Sequence, residues 1–252
     1  MPYANNRGTR IHFEVEGGGP ALVLQHGFTG NLKRWHTYGY VDALKADYQL
    51  ILVDARGHGA SDKPHDPAAY DLPLRVGDVL SVLDALELDR AHYWGYSMGG
   101  WIGFGMAKYA AQRVHALVIG GAQPFGQQWP ASSRLDGSDP QAFLTALGMN
   151  EAAMLPEVRA DFFANDFRAL AAARGDRPSL EEILPTMSMP CCLYAGVADP
   201  LYPRVLQAAQ RIPQATSFAM PNLDHGTAFR EAGLALPHVT KFLHAVTEVP
   251  AR

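Results

Sequence analysis

The sequence predicts an α/β fold: a twisted, mostly parallel sheet with helices on both faces. Short, nearly continuous apolar segments recur along the chain, as in strands that are covered on both faces. Segments with apolar residues at helical spacing lie between them, and this strand–helix–strand alternation is typical of a doubly wound sheet. The chain has 252 residues and is 48% hydrophobic, which is enough for one large core.

Each element of this sheet can be located on the chain. The predicted strands cover residues 21–25, 49–53, 91–94, 115–120, 191–195 and 217–220. Residues 76–88 carry leucines and valines at helical spacing, and residues 236–246 predict a closing helix. Residues 10–16 predict an antiparallel edge hairpin that turns at the glycines of residues 17–19.

Residues 124–186 interrupt the alternation, because they contain turns and helical patterns but no clear strand. They carry nine acidic and five basic residues, so the whole net charge of −4 falls on this segment. A long insertion between two core strands is typical of a lid over an active site. We therefore predict a core domain of residues 1–123 and 187–252 and a helical cap of residues 124–186. An ordinary helical elaboration is the alternative.

Composition argues against several classes of function. Without a basic run, nucleic acid is not an expected partner. No segment approaches the roughly 20 apolar residues of a membrane span, and the first residues do not resemble a signal peptide, so we expect a cytoplasmic protein away from membranes. Cys191 and Cys192 are adjacent in an apolar segment and predict buried thiols rather than a disulfide or a zinc site. We expect no cofactor and no metal, and the oligomeric state is left open.

The segment Gly-Tyr-Ser-Met-Gly-Gly at residues 95–100 predicts a nucleophilic serine. A strand-like segment precedes Ser97 and a helical pattern follows it. A serine at such a sharp turn is held in a strained conformation with its hydroxyl exposed. Glycines at positions 95 and 99 allow the neighbouring backbone to approach closely.

A histidine and a carboxylate are predicted to complete the catalytic group. His225 lies in a turn-rich stretch after the last strand, and histidine suits proton transfer because its unperturbed pKa is roughly 6.5. Asp199 follows the strand of residues 191–195, at the sheet edge where α/β folds bind ligands. Serine, then acid, then histidine is the chain order that this kind of turn requires. Asp224 is a weaker candidate, because side chains of adjacent residues in an extended loop point apart.

The negative charge that develops on a substrate oxygen during the reaction must be stabilised by hydrogen-bond donors. The turn at residues 26–30 follows the first parallel strand, so the Phe28 amide can face the serine turn. Together with the Met98 amide it predicts an oxyanion hole, in which one donor contributes about 10²–10³ in rate. We expect His26 to hold this turn by hydrogen bonding rather than to act as the base.

Three motifs together make the chain resemble the α/β-hydrolase superfamily over nearly its whole length: His-Gly-Phe-Thr-Gly at residues 26–30, Asp-Ala-Arg-Gly-His-Gly-Ala-Ser-Asp at residues 54–62, and the serine motif at residues 95–100. The resemblance implies the α/β-hydrolase fold with a cap, and hydrolysis through an acyl-enzyme. It also implies that Asp54, Arg56 and His58 are structural. Dehalogenases and epoxide hydrolases of this superfamily carry aspartate where this chain has Ser97, which argues against both.

The sequence thus predicts a serine esterase acting on small or medium apolar esters. The aromatic cap residues Trp129, Phe143 and Phe162 are the predicted pocket residues. The alternatives are a carbon–carbon bond hydrolase of the meta-cleavage-product type, and a lactonase, thioesterase or perhydrolase. A small-molecule receptor on the same fold stays open as an alternative that is not an enzyme, and an interaction protein with an inactive site is the weakest.

Overall fold

The computed structural model describes residues 2–129 and 135–247. Within these ranges eight strands form a single sheet, in the spatial order β1-β2-β4-β3-β5-β6-β7-β8. The strands are β1 (Tyr3–Asn6), β2 (Thr9–Glu16), β3 (Ala21–Gln25), β4 (Gln49–Val53), β5 (Ala91–Tyr96), β6 (Val114–Gly120), β7 (Cys191–Gly196) and β8 (Ala215–Met220). β2 pairs antiparallel with β1 and β4, and all other neighbours are parallel. The predicted mostly parallel α/β fold is confirmed.

Helices follow the strands along the chain. They are α1 (Lys33–Thr37), α2 (Tyr40–Leu44), α3 (Leu72–Ala85), α4 (Met98–Tyr109), α5 (Pro140–Ala146), α6 (Pro156–Phe163), α7 (Phe167–Ala173), α8 (Tyr202–Arg211), α9 (His225–Arg230) and α10 (Ala232–Thr247). Short 3-10 helices cover Pro67–Tyr70, Ala111–Arg113, Glu151–Ala153 and Glu181–Thr186. In the part of the chain that the structure covers, no helix combines the length and apolar character needed to cross a bilayer.

The parallel strands bury both of their faces, because successive side chains point to opposite sides of the sheet. Leu22 and Leu24 of β3 belong to the core that contains residues of α1, α2, α9 and α10. Val23, between them, belongs to the core with residues of α3, α4 and α8. This arrangement explains the continuous apolar segments and leaves the carboxyl ends of the strands free to carry a site.

The predicted N-terminal hairpin was wrong. β2 is antiparallel, as expected, but its hairpin partner is β1, and the turn between them uses Arg7 and Gly8 at positive φ. On its other side β2 pairs with β4, which separates it from β3, so no hairpin forms at residues 17–19. β4 is apolar throughout its length, and β2 covers the edge that this strand would otherwise expose.

The predicted helices exist but begin earlier. α3 starts at Leu72 rather than at residue 76, because Pro73 lies in its first turn, where the missing N–H of proline has no helical partner to lose. It ends before Glu87, whose φ of 56° is incompatible with a helix. α10 likewise starts at Ala232, and Pro237 lies inside it.

Between β6 and β7 the described residues form α5, α6, α7 and two of the 3-10 helices, with an isolated bridge between Gln127 and Arg177. The segment predicted as a cap is thus helical where it is described. Buried residues of these helices form a core of their own, which we call the cap cluster: Phe143, Leu144, Phe162, Phe167 and Leu170. The division into a core and a cap domain stays a prediction.

Candidate active site

Ser97 lies at the turn between β5 and α4, at the carboxyl end of a central strand. Its backbone has φ 54° and ψ −111°, a conformation that residues other than glycine rarely adopt. The Ser97 N–H donates to the Gly120 carbonyl (2.8 Å), and the Ser97 carbonyl accepts from the Trp101 N–H (2.9 Å). These bonds on both sides hold the strained turn, which is how such a serine presents its hydroxyl above the strand ends.

The two glycines that flank Ser97 are required by space. A side chain on Gly95 would collide with the Gly99 backbone, and one on Gly99 would collide with the Gln25 carbonyl. The strand, the following helix and β3 therefore approach each other too closely for any β-carbon, as the motif predicts.

His225 and Asp199 meet Ser97 in one chain of hydrogen bonds. His225 Nε2 lies 2.9 Å from Ser97 Oγ, and His225 Nδ1 lies 2.7 Å from Asp199 Oδ2. A carboxylate only accepts hydrogen bonds, so Nδ1 carries the proton and Nε2 is left to accept from the serine hydroxyl. The structure therefore brings the three predicted residues together in the predicted order.

The surroundings orient both partners of Ser97. Asp199 is buried, and its Oδ1 accepts from the Leu201 N–H (2.8 Å), which directs Oδ2 at the imidazole. The Tyr96 hydroxyl donates to the His225 carbonyl (2.6 Å) and so ties the start of α9 to the serine strand. The His225 side chain is 39% exposed, so solvent reaches the imidazole, whereas Asp199 behind it is buried.

Asp224 has a different task. Its side chain accepts from the Thr227 N–H (2.8 Å) and from the Thr227 hydroxyl (2.7 Å), which makes it the N-cap of α9. These bonds lower the pKa of Asp224. The carboxylate next to His225 in sequence thus begins the helix that carries the histidine, while the distant Asp199 contacts its ring.

The turn after β3 lies against the serine. A β-carbon on Gly27 would be 3.2 Å from Ser97 Cβ, so the backbone of this turn passes directly beside the nucleophile. His26 holds the turn, as predicted: its Nδ1 lies 2.7 Å from the Gly27 carbonyl, and its Nε2 accepts from the Ala55 N–H (3.1 Å). Within the described residues, neither the Phe28 amide nor the Met98 amide donates to another protein group. Their role as oxyanion donors stays a prediction.

The loop of residues 54–62 supports this turn from below. Asp54 is buried, accepts from the Leu32 and Ala60 amides, and contacts His12 (2.8 Å). Arg56 forms a buried, bidentate pair with Asp78 of α3. These contacts give Asp54 and Arg56 the structural roles that the resemblance implies.

The predicted pocket residues lie in two different places. Phe143 and Phe162 have no exposed surface and belong to the cap cluster, where each packs its ring on Phe167 at 5.2 and 5.4 Å. Trp129 is half-buried, and the Arg174 guanidinium lies over its ring (4.2 Å). A wall role for either phenylalanine would therefore require the cap to open. Phe28 packs against the cap cluster and so joins it to the serine turn.

Other contacts between cap and core were not predicted. Arg34 of α1 donates to the Val158 carbonyl of α6 (2.9 Å), and Asn165 donates to the Thr29 carbonyl (3.0 Å). Arg75 of α3 donates to the Ala173 carbonyl (2.8 Å) and to Met98 Sδ (3.2 Å). These partners are 98 to 136 residues apart where they join the cap, so no local pattern indicates them.

Potential metal ligands lie away from the serine turn. In the described ranges, Glu14, Glu16 and His36 place one ligand atom each within 4.8 Å of one another, on β2 and α1. Cys191 and Cys192 are free and buried, and burial raises the pKa of their thiols to about 12 and about 11. Neither group adjoins Ser97, and the chemistry of the serine group requires no metal.

Comparison with known proteins identifies the family of the chain. The sequence model of the alpha/beta hydrolase fold matches residues 20–178, which is more than half of the chain. The chain belongs to the α/β-hydrolase family. The solved structure of an enol-lactonase from Burkholderia xenovorans superimposes on this hydrolase with a TM-score of 0.85, at 24% identity, over 96% of this chain and 100% of that one. An esterase from a Rhodococcus species superimposes with a TM-score of 0.83 at 24% identity, over 97% and 98% of the two chains.

Sequence relatives extend the comparison. The hydrolase is 28% identical to 3-oxoadipate enol-lactonase 1 of Acinetobacter baylyi over an alignment of 219 residues. That alignment covers 78% of this chain and 79% of the relative. It is 34% identical over 118 residues to a putative 2-succinyl-6-hydroxy-2,4-cyclohexadiene-1-carboxylate synthase of Bacillus subtilis. That alignment spans only 42% of the Bacillus protein's length.

Proposed function

We propose that this hydrolase cleaves carboxylic esters of small to medium, apolar substrates through an acyl-enzyme. The observation that carries the proposal is the continuous chain of hydrogen bonds from Asp199 through His225 to the Ser97 hydroxyl. A serine hydroxyl becomes a competent nucleophile when a neutral imidazole accepts its proton and a carboxylate holds that imidazole in the right tautomer.

The proposed reaction has two halves. Ser97 Oγ attacks the ester carbonyl, its proton moves to His225 Nε2, and the amides of Phe28 and Met98 bind the resulting oxyanion. The proton then passes from His225 to the departing alcohol oxygen, which leaves the acyl group on Ser97. Water, deprotonated by His225, attacks the acyl carbonyl and releases the carboxylic acid and free Ser97.

An apolar substrate suits the surroundings of the serine. The Phe28 ring packs against the cap cluster and lies edge-on to His58 at 5.5 Å. The amide proposed as an oxyanion donor is thus carried by a residue whose side chain belongs to an apolar surface between cap and core. An apolar acyl or alcohol group gains free energy there, at about 25 cal/mol per Å² removed from water.

A lactone is the second candidate substrate. Its ring contains the same ester linkage, so the proposed steps apply without change. The enol-lactonase of Acinetobacter baylyi aligns with 78% of this chain. This relationship favours lactones as substrates over the substrates of carbon–carbon bond hydrolases.

Steady-state assays of the purified chain test the proposal. We expect turnover of short-chain aryl esters, and loss of at least about 10³-fold in kcat for Ser97→Ala, because the residual rate then comes from binding and the oxyanion donors alone. A panel of acyl lengths, lactones and vinylogous diketone acids separates the ester, lactone and carbon–carbon alternatives. Product formation that stops after about one equivalent would indicate a receptor, and normal turnover by folded Ser97→Ala would refute the nucleophile.

A further inference from the structure

A cavity lies between residues of the core and of the cap segment. Its volume is about 170 Å³, and its walls include Tyr70, Arg75, Trp101, Tyr109 and Arg177. Ser97, Asp199 and His225 do not line it. The cavity is therefore separate from the proposed catalytic group, although Arg75 also contacts Met98.

Two guanidinium groups line this cavity without a carboxylate partner. Arg75 is buried and donates to the Tyr70 and Ala173 carbonyls and to Met98 Sδ, all of them neutral acceptors. The Arg177 guanidinium lies 4.8 Å from the centre of the Trp101 ring, and the Arg75 guanidinium lies 5.8 Å from it. Among the described residues, neither arginine forms an ion pair with an aspartate or a glutamate. Buried charges in proteins are normally paired, so these two guanidinium groups lack the direct carboxylate partner that such charges usually have.

The Trp101 indole, which both guanidinium groups approach, lacks a hydrogen-bond partner. Trp101 is only 4% exposed, and its buried Nε1 has no acceptor in the part of the chain that the structure covers. A buried N–H without an acceptor destabilises the folded protein. Two cations and the residue that carries this unsatisfied donor all line the cavity, and they favour a ligand that accepts hydrogen bonds and carries negative charge.

The electrostatics of the arginines agree with this arrangement. Burial, and then the charge of Arg177, lowers the pKa of Arg75 to about 9. Burial lowers the pKa of Arg177 to about 10. Both guanidinium groups remain charged at neutral pH, and an anion between them would relieve their repulsion. Asp71 and Asp176 also border the cavity, but both are exposed, and the Asp176 carboxylate already accepts from the Trp129 amide.

We propose that this cavity binds a small carboxylate with an aromatic body, of about the size of benzoate. The guanidinium groups would hold the carboxylate, because their planar fork matches its two oxygens. Tyr70, Trp101 and Tyr109 would contact the ring. An engineered apolar cavity of about 150 Å³ in another protein accepts benzene, so a cavity of 170 Å³ has room for this ligand.

Isothermal titration calorimetry of the full chain with sodium benzoate tests the proposal. We expect saturable binding at one site, with benzamide at least tenfold weaker, because it has the same shape without the charge. Inorganic phosphate should also bind at least tenfold more weakly, since it offers charge without a ring. Equal affinity for benzamide or for phosphate would overturn the proposed ligand class.

Variants locate the site. Arg177→Met should weaken benzoate at least tenfold, whereas Arg168→Met, which removes an exposed cation of α7 outside the cavity, should leave it unchanged. Tyr109 is 45% exposed at the cavity wall, so its replacement keeps the core intact. Tyr109→Glu should weaken benzoate binding more than Tyr109→Gln does, because both remove the ring contact and only glutamate adds a repelling charge. Unchanged binding in both Arg177→Met and Tyr109→Glu would show that benzoate binds elsewhere and would refute the proposal. The titration in Ser97→Ala needs no turnover, so its result is independent of the proposed esterase activity.

Discussion

Ser97 has a backbone conformation that opposes its own stability. At φ 54° and ψ −111° its β-carbon is crowded by the backbone, at a cost of about 1–3 kcal/mol. The hydrogen bonds to Gly120 and Trp101 and the glycines around the turn maintain this conformation. The strain is useful only because it directs the hydroxyl at His225.

Replacing Ser97 by glycine separates strain from chemistry. Ser97→Gly should raise the free energy of unfolding by about 1 kcal/mol over Ser97→Ala, because alanine keeps the strained β-carbon and glycine does not. Both variants should lack turnover. Thermal or urea unfolding measures the difference, and equal stability of the two variants would show that the turn is not strained.

Tyr96 positions the histidine rather than the substrate. Its hydroxyl donates to the His225 carbonyl, and its ring stacks on Phe229 of α9 at 4.4 Å. Tyr96→Phe keeps the stacking and removes the hydrogen bond, at a cost of about 1 kcal/mol in unfolding free energy. We expect kcat to fall several-fold at nearly constant KM. A change confined to KM would place Tyr96 in substrate binding instead.

At the scale of elements, the cap is joined to the turns that surround the nucleophile. Asn165, just after α6, is bonded to the turn that carries Phe28, and Arg34 connects α6 to α1, which follows that turn. Arg75 connects the end of α7 to α3 and to Met98, at the start of α4. Phe28 thus lies on a turn that is bonded to the cap segment, and Met98 is linked to that segment through Arg75, so we expect a movement of the cap to affect both proposed donors.

Asn165 offers a test of this connection. Its amide donates to the Thr29 carbonyl and to two carbonyls of α6, at Asp161 and Phe162. Asn165→Ala should lower kcat for a small ester by roughly tenfold, a fraction of the 10²–10³ that a whole oxyanion donor contributes. The control is Asn150→Ala, which removes an N-cap of the Glu151–Ala153 turn inside the cap. If both variants lose the same activity, the contact with Thr29 has no special role.

For the whole molecule, buried histidines make stability depend on pH. Burial lowers the pKa of His26, that of His58 to about 3 and that of His92 to about 4. The imidazoles of His58 and His92 are therefore neutral in the folded protein at pH 5, whereas in the unfolded chain histidines bind protons below their ordinary pKa of about 6.5. The unfolded state therefore gains protons as the pH falls, and stability falls with it.

Urea unfolding at several pH values measures this effect. The unfolding free energy should be at its full value above about pH 7 and should decrease as the pH falls below about 6.5, with His58 and His92 each contributing about 2 kcal/mol of loss by pH 5. His58→Gln should reduce the slope of that decrease, because glutamine does not titrate. A slope that His58→Gln leaves unchanged would mean that other groups cause the acid sensitivity.

The sequence by itself determined the six parallel strands, the serine turn and the order of Ser97, Asp199 and His225. These features depend on contiguous residues: apolar segments that need cover on both faces, and glycines where two backbones approach. The oxyanion donors, the amides of Phe28 and Met98, were also predicted from local turns. Their role, like the catalytic roles of Ser97, Asp199 and His225, stays a prediction.

Only the tertiary structure decided which distant segments meet. It placed β4 between β2 and β3, enclosed Phe143 and Phe162 in the cap cluster, and gathered Arg75 and Arg177 around Trp101. Most of these contacts join residues from different elements of the chain, and their free energy comes from packing and desolvation in the folded protein. No short pattern in the sequence predicts these contacts, because the partner of each side chain depends on how the elements pack in the folded protein.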